Sequence, residues 1–171
     1  MPQKKIGYIY FQNKKYKKAI KYYTQVVDLE GINTNSLYNL ACSYHYNLDF
    51  KNAYKYYNQS LTLAPDNVQA LNNLGGLYYD IKDFNNAFHT FKKSLELTKK
   101  NPEAYYYLGI LQRIFKHDLE LSILCLKKSL FYDVEHFETY TELIKTYEEL
   151  NNQEEIAKLK KIIFEKFNVS I

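Results

Sequence analysis

Apolar residues in this chain recur at spacings of three and four, most clearly between Val68 and Asn101. Leu71, Leu74, Tyr78 and Ile81 mark one stripe of a 3.6-residue helix, and Phe84, Phe88, Phe91 and Leu95 mark a second. The polar pair Lys82-Asp83 interrupts the run between them. Gly75, Ala87 and Ser94 stand beside the large side chains, where two helix backbones could approach closely. The pattern predicts an amphipathic helical hairpin. A lone hairpin leaves an outer apolar face in water, so this one needs neighbours of its own kind.

The neighbours are there, at a period of 34 residues. That step carries Leu74 onto Ile6, Leu40 and Leu108, and Gly75 onto Gly7, Ala41 and Gly109. Tyr78 maps onto Tyr10 and Tyr44, Ala87 onto Ala19 and Ala53, and Phe91 onto Tyr23 and Tyr57. The fourth unit needs one extra residue near Phe115 to Asp118, after which Ser122, Leu126 and Ser129 fall into place. Leu143 and Tyr147 mark a fifth unit. The first two pairs are expected at 2–12 with 16–29, and at 35–47 with 50–63. The fourth ends near Tyr132, and the fifth covers roughly 136–150 and 153–167. Gly31 and Pro65 act as stops, while Asn33 or Thr34, Asp66 or Asn67, and Asn101-Pro102-Glu103 act as starts.

The motif Leu74-Gly75, Tyr78, Ala87, Phe91, Ser94 and Leu95, with Pro65 closing the unit before, resembles the tetratricopeptide repeat (TPR). The resemblance extends over nearly the whole chain. It implies an all-α, right-handed superhelical solenoid of about five helix-turn-helix units, at about 1–33, 34–67, 68–101, 102–136 and 137–171, forming a single array. The glycine usual in the turn within each unit is replaced by Lys14, Leu48 and Lys82. Asn13, Asn47 and Asn151 stand nearby, and asparagine tolerates a left-handed backbone. In the fifth unit Ile144, Ile156 and Ile163 occupy positions expected to be small, which makes that unit either degenerate or a cap.

Composition is that of ordinary globular protein, 46% hydrophobic and 25% charged, and five Gly with three Pro leave no flexible linker. The N-terminus is too short in apolar residues and too quickly charged for a signal peptide. Cys42 and Cys125 form no metal-ligand spacing, and a reducing cytoplasm is the default expectation. The four His residues fall in different units, no phosphate-binding glycine motif occurs, and no cofactor or metal is called for. Enzymatic activity is therefore not expected. Cys42 reads as a small buried filler rather than a reactive thiol.

The resemblance implies a concave groove lined by the first helix of each unit, where a segment of another protein binds. The residues it assigns to the groove include Tyr8, Tyr38, Asn39, Asn72, Asn73, Tyr106, Tyr107 and Arg113. Chaperone-binding members grip the acidic carboxylate tail of Hsp70 or Hsp90 with five residues. Here Lys4 and Asn39 match, but Tyr8, Gln69 and Asn73 fill the other places, so the clamp is incomplete. Other members, the protein O-GlcNAc transferases among them, carry a ladder of groove asparagines; Asn39 and Asn73 supply two rungs here. The alternatives are an RNA-binding helical repeat and a structural subunit that uses its convex face. A net charge of +4 favours nucleic acid, but Arg113 is the one arginine. Positive charge also concentrates at one end. Residues 1–27 hold seven Lys and no acid, whereas residues 133–155 hold eight acids and Lys145. That polarity allows weak head-to-tail self-association.

Overall fold

The computed structural model describes residues 2–170, without the side chain of Glu30. Met1 and Ile171, which the expected first and fifth units include, lie outside the described residues. The described residues form five helix pairs. These are α1 (Pro2–Gln12) with α2 (Tyr16–Glu30), α3 (Thr34–Tyr46) with α4 (Phe50–Leu63), and α5 (Val68–Asp80) with α6 (Phe84–Leu97). Next come α7 (Pro102–Leu111) with α8 (Leu119–Tyr132), and α9 (Phe137–Glu149) with α10 (Gln153–Phe167). The expected boundaries agree to within a residue or two. Ile81 departs from its expected place: it lies past the end of α5 and is 44% exposed, so that stripe ends at Tyr78.

The turn within each pair repeats one design. Lys14, Leu48, Lys82, His117 and Asn151 all have left-handed backbones, with φ of 56°, 61°, 62°, 55° and 54°. Asn47, expected as a left-handed candidate, has φ −86°. The site is instead held by its hydrogen bonds. The Leu48 amide donates to the His45 carbonyl and the Asp49 amide to that of Tyr44, the paired bonds of a Schellman stop. Asp49, Asp83, Asp118 and Asn152 follow directly, and each side chain accepts from an amide three residues on, capping the next helix. Lys15 occupies that position in the first pair and provides no side-chain cap. Between pairs, Asn33, Asn67 and Asn101 cap α3, α5 and α7 in the same way.

The extra residue of the fourth unit takes a definite form. Gln112–Lys116 continues α7 as a π-helical turn, the usual way a helix absorbs an insertion. His117 then takes the left-handed position and Asp118 caps α8, restoring the pattern 35 residues after Lys82.

By contact density the chain divides into two compact parts, Met1–Thr90 and Phe91–Ile171. In the first, Ala19, Tyr23 and Leu40 centre one core cluster, and Ala41, Ala53, Tyr57, Leu74 and Leu77 centre another. A Cβ on Gly7 would lie 3.1 Å from the Tyr23 ring, so α1 and α2 meet through a small residue beneath a large one. In the second part Gly109 does the same for Leu126, with an added Cβ only 2.6 Å from its Cγ. The fifth pair keeps an apolar core despite its departures from the repeat pattern. Ile144, Ile156 and Ile163 are buried together with Leu126, Tyr140, Leu143, Tyr147 and Leu159, so large side chains fill the space that small residues would close.

A left-handed residue other than glycine costs about 1–2 kcal/mol, and glycine returns about half of that through its flexible unfolded state. Leu48 is 75% exposed and has little packing to lose. Leu48→Gly and Lys82→Gly should therefore each stabilise the fold by roughly 0.5–1 kcal/mol, about 2 °C in Tm. Lys15→Asp should add about 1 kcal/mol by supplying the missing cap. Thermal melts followed by circular dichroism check all three, and unchanged or lower melting points would contradict the account.

Candidate functional site

The first helix of each pair carries the residues assigned to the groove. In the N-terminal part, Tyr8 and Phe11 from α1, Tyr38, Asn39 and Cys42 from α3, and Asn73 from α5 border one cavity of about 180 Å³, with Tyr23 at its side. Tyr8 is 58% exposed, while Tyr38, Asn39 and Asn73 are half-buried. The Asn73 Nδ2 group donates to the Tyr38 hydroxyl at 2.8 Å and to the Gln69 carbonyl at 3.0 Å. An adjoining depression of about 540 Å³ is bordered by Lys4, Lys5, Tyr8 and Ile9 with Tyr23 and Asn39. Asn72 does not join them. It is 94% removed from solvent, so the expected solvent-facing amide at this position is corrected to a buried one. The turn of about 100° per residue that aims Asn73 outward turns Asn72 inward.

Beneath this cavity lies a polar chain. The Tyr57 hydroxyl is 3.4 Å from both the Cys42 Sγ, to which it donates, and the His45 Nδ1. The other nitrogen of that ring, Nε2, is 2.8 Å from Asp80 Oδ2. Tyr57 is wholly buried, and burial pushes its hydroxyl far above the ordinary tyrosine range; the neighbouring Cys42 adds to the effect. Burial likewise raises the Cys42 thiol, against the hydrogen bonds from Tyr57 and Tyr38. A thiol held protonated is a poor nucleophile, so the arrangement is chemically quiet. Cys42 is the buried filler expected of it, although it borders the cavity.

In the C-terminal part, Tyr107 stacks on Phe91 with ring centres 4.8 Å apart, and Tyr106 meets Tyr107 and His136 edge to face. Arg113, carried by the π-helical turn, donates to Glu142 at 2.6 Å and to Glu149 at 2.9 Å. Lys145 also pairs with Glu142. Burial opposes the charge on Arg113, but the bonds to Glu149 and Glu142 outweigh it and its pKa is raised. Arg113 is thus already engaged within the fold.

Several of these contacts join groove residues about one repeat apart, and this pairing is absent from the sequence expectations. Tyr38 meets Asn73, His45 meets Asp80, and Arg113 meets Glu149. A step of 35 or 36 residues between complementary side chains would have found all three. Tyr57 and Tyr23, which belong to second helices, carry no signal beyond their place in the repeat.

Tetratricopeptide-repeat family models match residues 5–33, 34–67 and 68–101, more than half of the chain. The protein belongs to the TPR family. Comparison with curated proteins finds no match. Among solved structures, MamA from Desulfovibrio magneticus RS-1 is similar with a TM-score of 0.81 at 18% identity, over 95% of this chain and 92% of its own. A further MamA structure gives 0.80 at 20% identity, covering 95% of both chains. The pilF protein of Pseudomonas aeruginosa gives 0.86 at 16% identity, over 96% of this chain and 74% of its own. At these identities the likeness is one of fold, the all-α TPR solenoid. Repeats of this family are protein-interaction scaffolds, typically without catalysis. No helix among the described residues is long and apolar enough to cross a membrane.

The buried tyrosines generate a pH dependence. In the unfolded chain a tyrosine ionises near pH 10, whereas Tyr23 is pushed up to about 12 and Tyr57 higher still, both by burial first. A raised folded pKa gives stability that is complete below about pH 10 and is lost as the pH climbs further. Melting points should thus fall steeply between about pH 10 and pH 12. Tyr57→Phe should melt lower at neutral pH, by about 1 kcal/mol for its lost hydrogen bonds, yet lose less on going alkaline. An identical alkaline slope in the variant would remove Tyr57 as its source.

Proposed function

We propose that this protein is a non-enzymatic binding module that holds a segment of a partner protein along the first helices of its repeats. The observation carrying the reading is the cavity bordered by Tyr8, Tyr38, Asn39 and Asn73, contributed by three successive first helices. Its aromatic walls suit an apolar side chain of the partner. Asn39 offers both a donor and an acceptor to a peptide bond, and Asn73 adds the part of its amide not engaged by Tyr38. Lys4 and Lys5 beside the adjoining depression favour an acidic residue in the same segment. In the C-terminal part, Tyr106 and Tyr107 are the proposed contacts. Arg113 acts there only if a partner carboxylate displaces Glu149.

A partner enriched from native lysate, with a groove variant as control, supplies the ligand for titration calorimetry. Asn39→Ala with Asn73→Ala should weaken its binding by about 1 kcal/mol per amide. Tyr38→Ala or Tyr106→Ala should cost roughly 2 kcal/mol where the ring is covered. Asn39→Ala should leave the melting point unchanged, whereas Asn72→Ala should lower it, because that side chain is buried. Equal binding by all groove variants would defeat the proposal. A steep fall in affinity with salt for an RNA ligand would favour the nucleic-acid alternative.

The polarity of the sequence, basic at residues 1–27 and acidic at 133–155, supports weak self-association of the head-to-tail kind. Exposed charges are screened within about 8 Å at physiological salt. Sedimentation should therefore show association at low salt and a monomer at high salt. A monomer under both conditions removes it.

A further inference from the structure

The inner face of α8 is ordinary for the repeat: Ser122, Leu126 and Ser129 are buried. Its outer face is not. Leu121, Leu124 and Phe131 are 42%, 49% and 81% exposed, with Tyr132 beside them. They recur at helical spacing along the solvent side, as one apolar stripe with Lys128 set between Leu124 and Phe131. The same three positions read Lys18, Lys21 and Asp28 in α2, and Asn52, Lys55 and Thr62 in α4. They read Asn86, His89 and Glu96 in α6, and Glu155, Lys158 and Glu165 in α10. Four second helices are polar there and one is apolar. Nothing in the packing of the repeat asks for the exception.

The stripe has two further properties. Its C-terminal end is preorganised: Phe131 meets Tyr132 edge to face at 5.1 Å, and Tyr132 stacks on Tyr105 at 5.9 Å. Rings already fixed lose little freedom on binding, the mark of an interface anchor. Two exposed cations stand at mid-helix: Lys127 borders the stripe and Lys128 lies on its line between Leu124 and Phe131, and they lie over the rings of Tyr147 and Tyr105. Two copies pairing antiparallel through this face would bring four lysines together near the axis, which disfavours self-pairing. We propose that the outer face of α8 is a docking surface for an amphipathic helix of a partner protein, its apolar ridge on Leu121, Leu124, Phe131 and Tyr132 and its acidic residues at mid-length against Lys127 and Lys128. The surface is separate from the groove residues, so partner capture there and here fail independently.

The test replaces Leu121→Asn, Leu124→His and Phe131→Glu together. These residues already stand at the same positions of α6, so the fold should be kept, and a thermal melt verifies it. The probe is a labelled helical peptide of about four turns, with leucines at three- and four-residue spacing flanked by glutamates. The parent protein should bind it saturably. The triple variant, and Lys127→Glu with Lys128→Glu, should bind about tenfold more weakly. A peptide of scrambled order should not bind, and Lys55→Ala, at the position of α4 that matches Leu124, should bind as the parent does. Absent binding, or equal binding by parent and triple variant, overturns the proposal. Without peptide binding, stripe-dependent flotation with phosphatidylcholine–phosphatidylglycerol vesicles overturns it in favour of a membrane surface. A stripe-dependent dimer in sedimentation, again without peptide binding, overturns it in favour of a second copy.

Discussion

The structure depends on one contact: a large side chain of a second helix lying over a small residue of the first. Tyr23 covers Gly7, where a Cβ would fit only if the ring gave way by a few tenths of an ångström, and Leu126 covers Gly109 at a distance that leaves no room for one. The geometry of a pair follows from this, because a bulkier residue would push the helices apart and forfeit close-packed dispersion contacts along both. Buried Ala41 with Tyr57 shows the same choice with one methyl more. The fifth pair solves the problem in reverse, with Ile144, Ile156 and Ile163 filling the gap that Lys160, exposed, cannot fill. The pairs are therefore interchangeable in plan but not in chemistry.

The groove residues are less free than a row of exposed side chains. Tyr38 is tied to Asn73, His45 to Asp80, and Arg113 to two glutamates. Each tie links neighbouring first helices, so these side chains are held in place within the fold. Under the proposed reading binding loses less side-chain freedom, and a partner carboxylate that engages Arg113 competes with Glu149 for it.

Most of the fold was legible in the sequence, because a 34-residue period repeated in register constrains every element at once. Helix limits and the asparagine caps followed from local chemistry. The left-handed turn followed from residue type only at Asn151. Repeat register placed Lys14, Leu48 and Lys82 where the turn glycine is usual, and those residues with Asn151 are left-handed; the nearby Asn47 is not, because the Schellman bonds set the left-handed residue one position later, against a cost of about 1–2 kcal/mol. Asn72 and Asn73 are identical as letters and differ only in phase, so burial of one and partial exposure of the other required the helix itself. The Tyr57–His45–Asp80 chain was hidden because its members look unremarkable until two helices bring them together.

The π-helical turn at Gln112–Lys116 carries a consequence for how such a chain changes length. It absorbs a residue at the end of a first helix and hands the next helix a restored phase, with its turn and cap intact. An insertion in the middle of any helix would instead rotate every later side chain by about 100° and bury its polar face. Length variation in this architecture is thus channelled to one joint per repeat. The fourth repeat records a single-residue gain at that joint, accommodated without a loop and without losing register downstream.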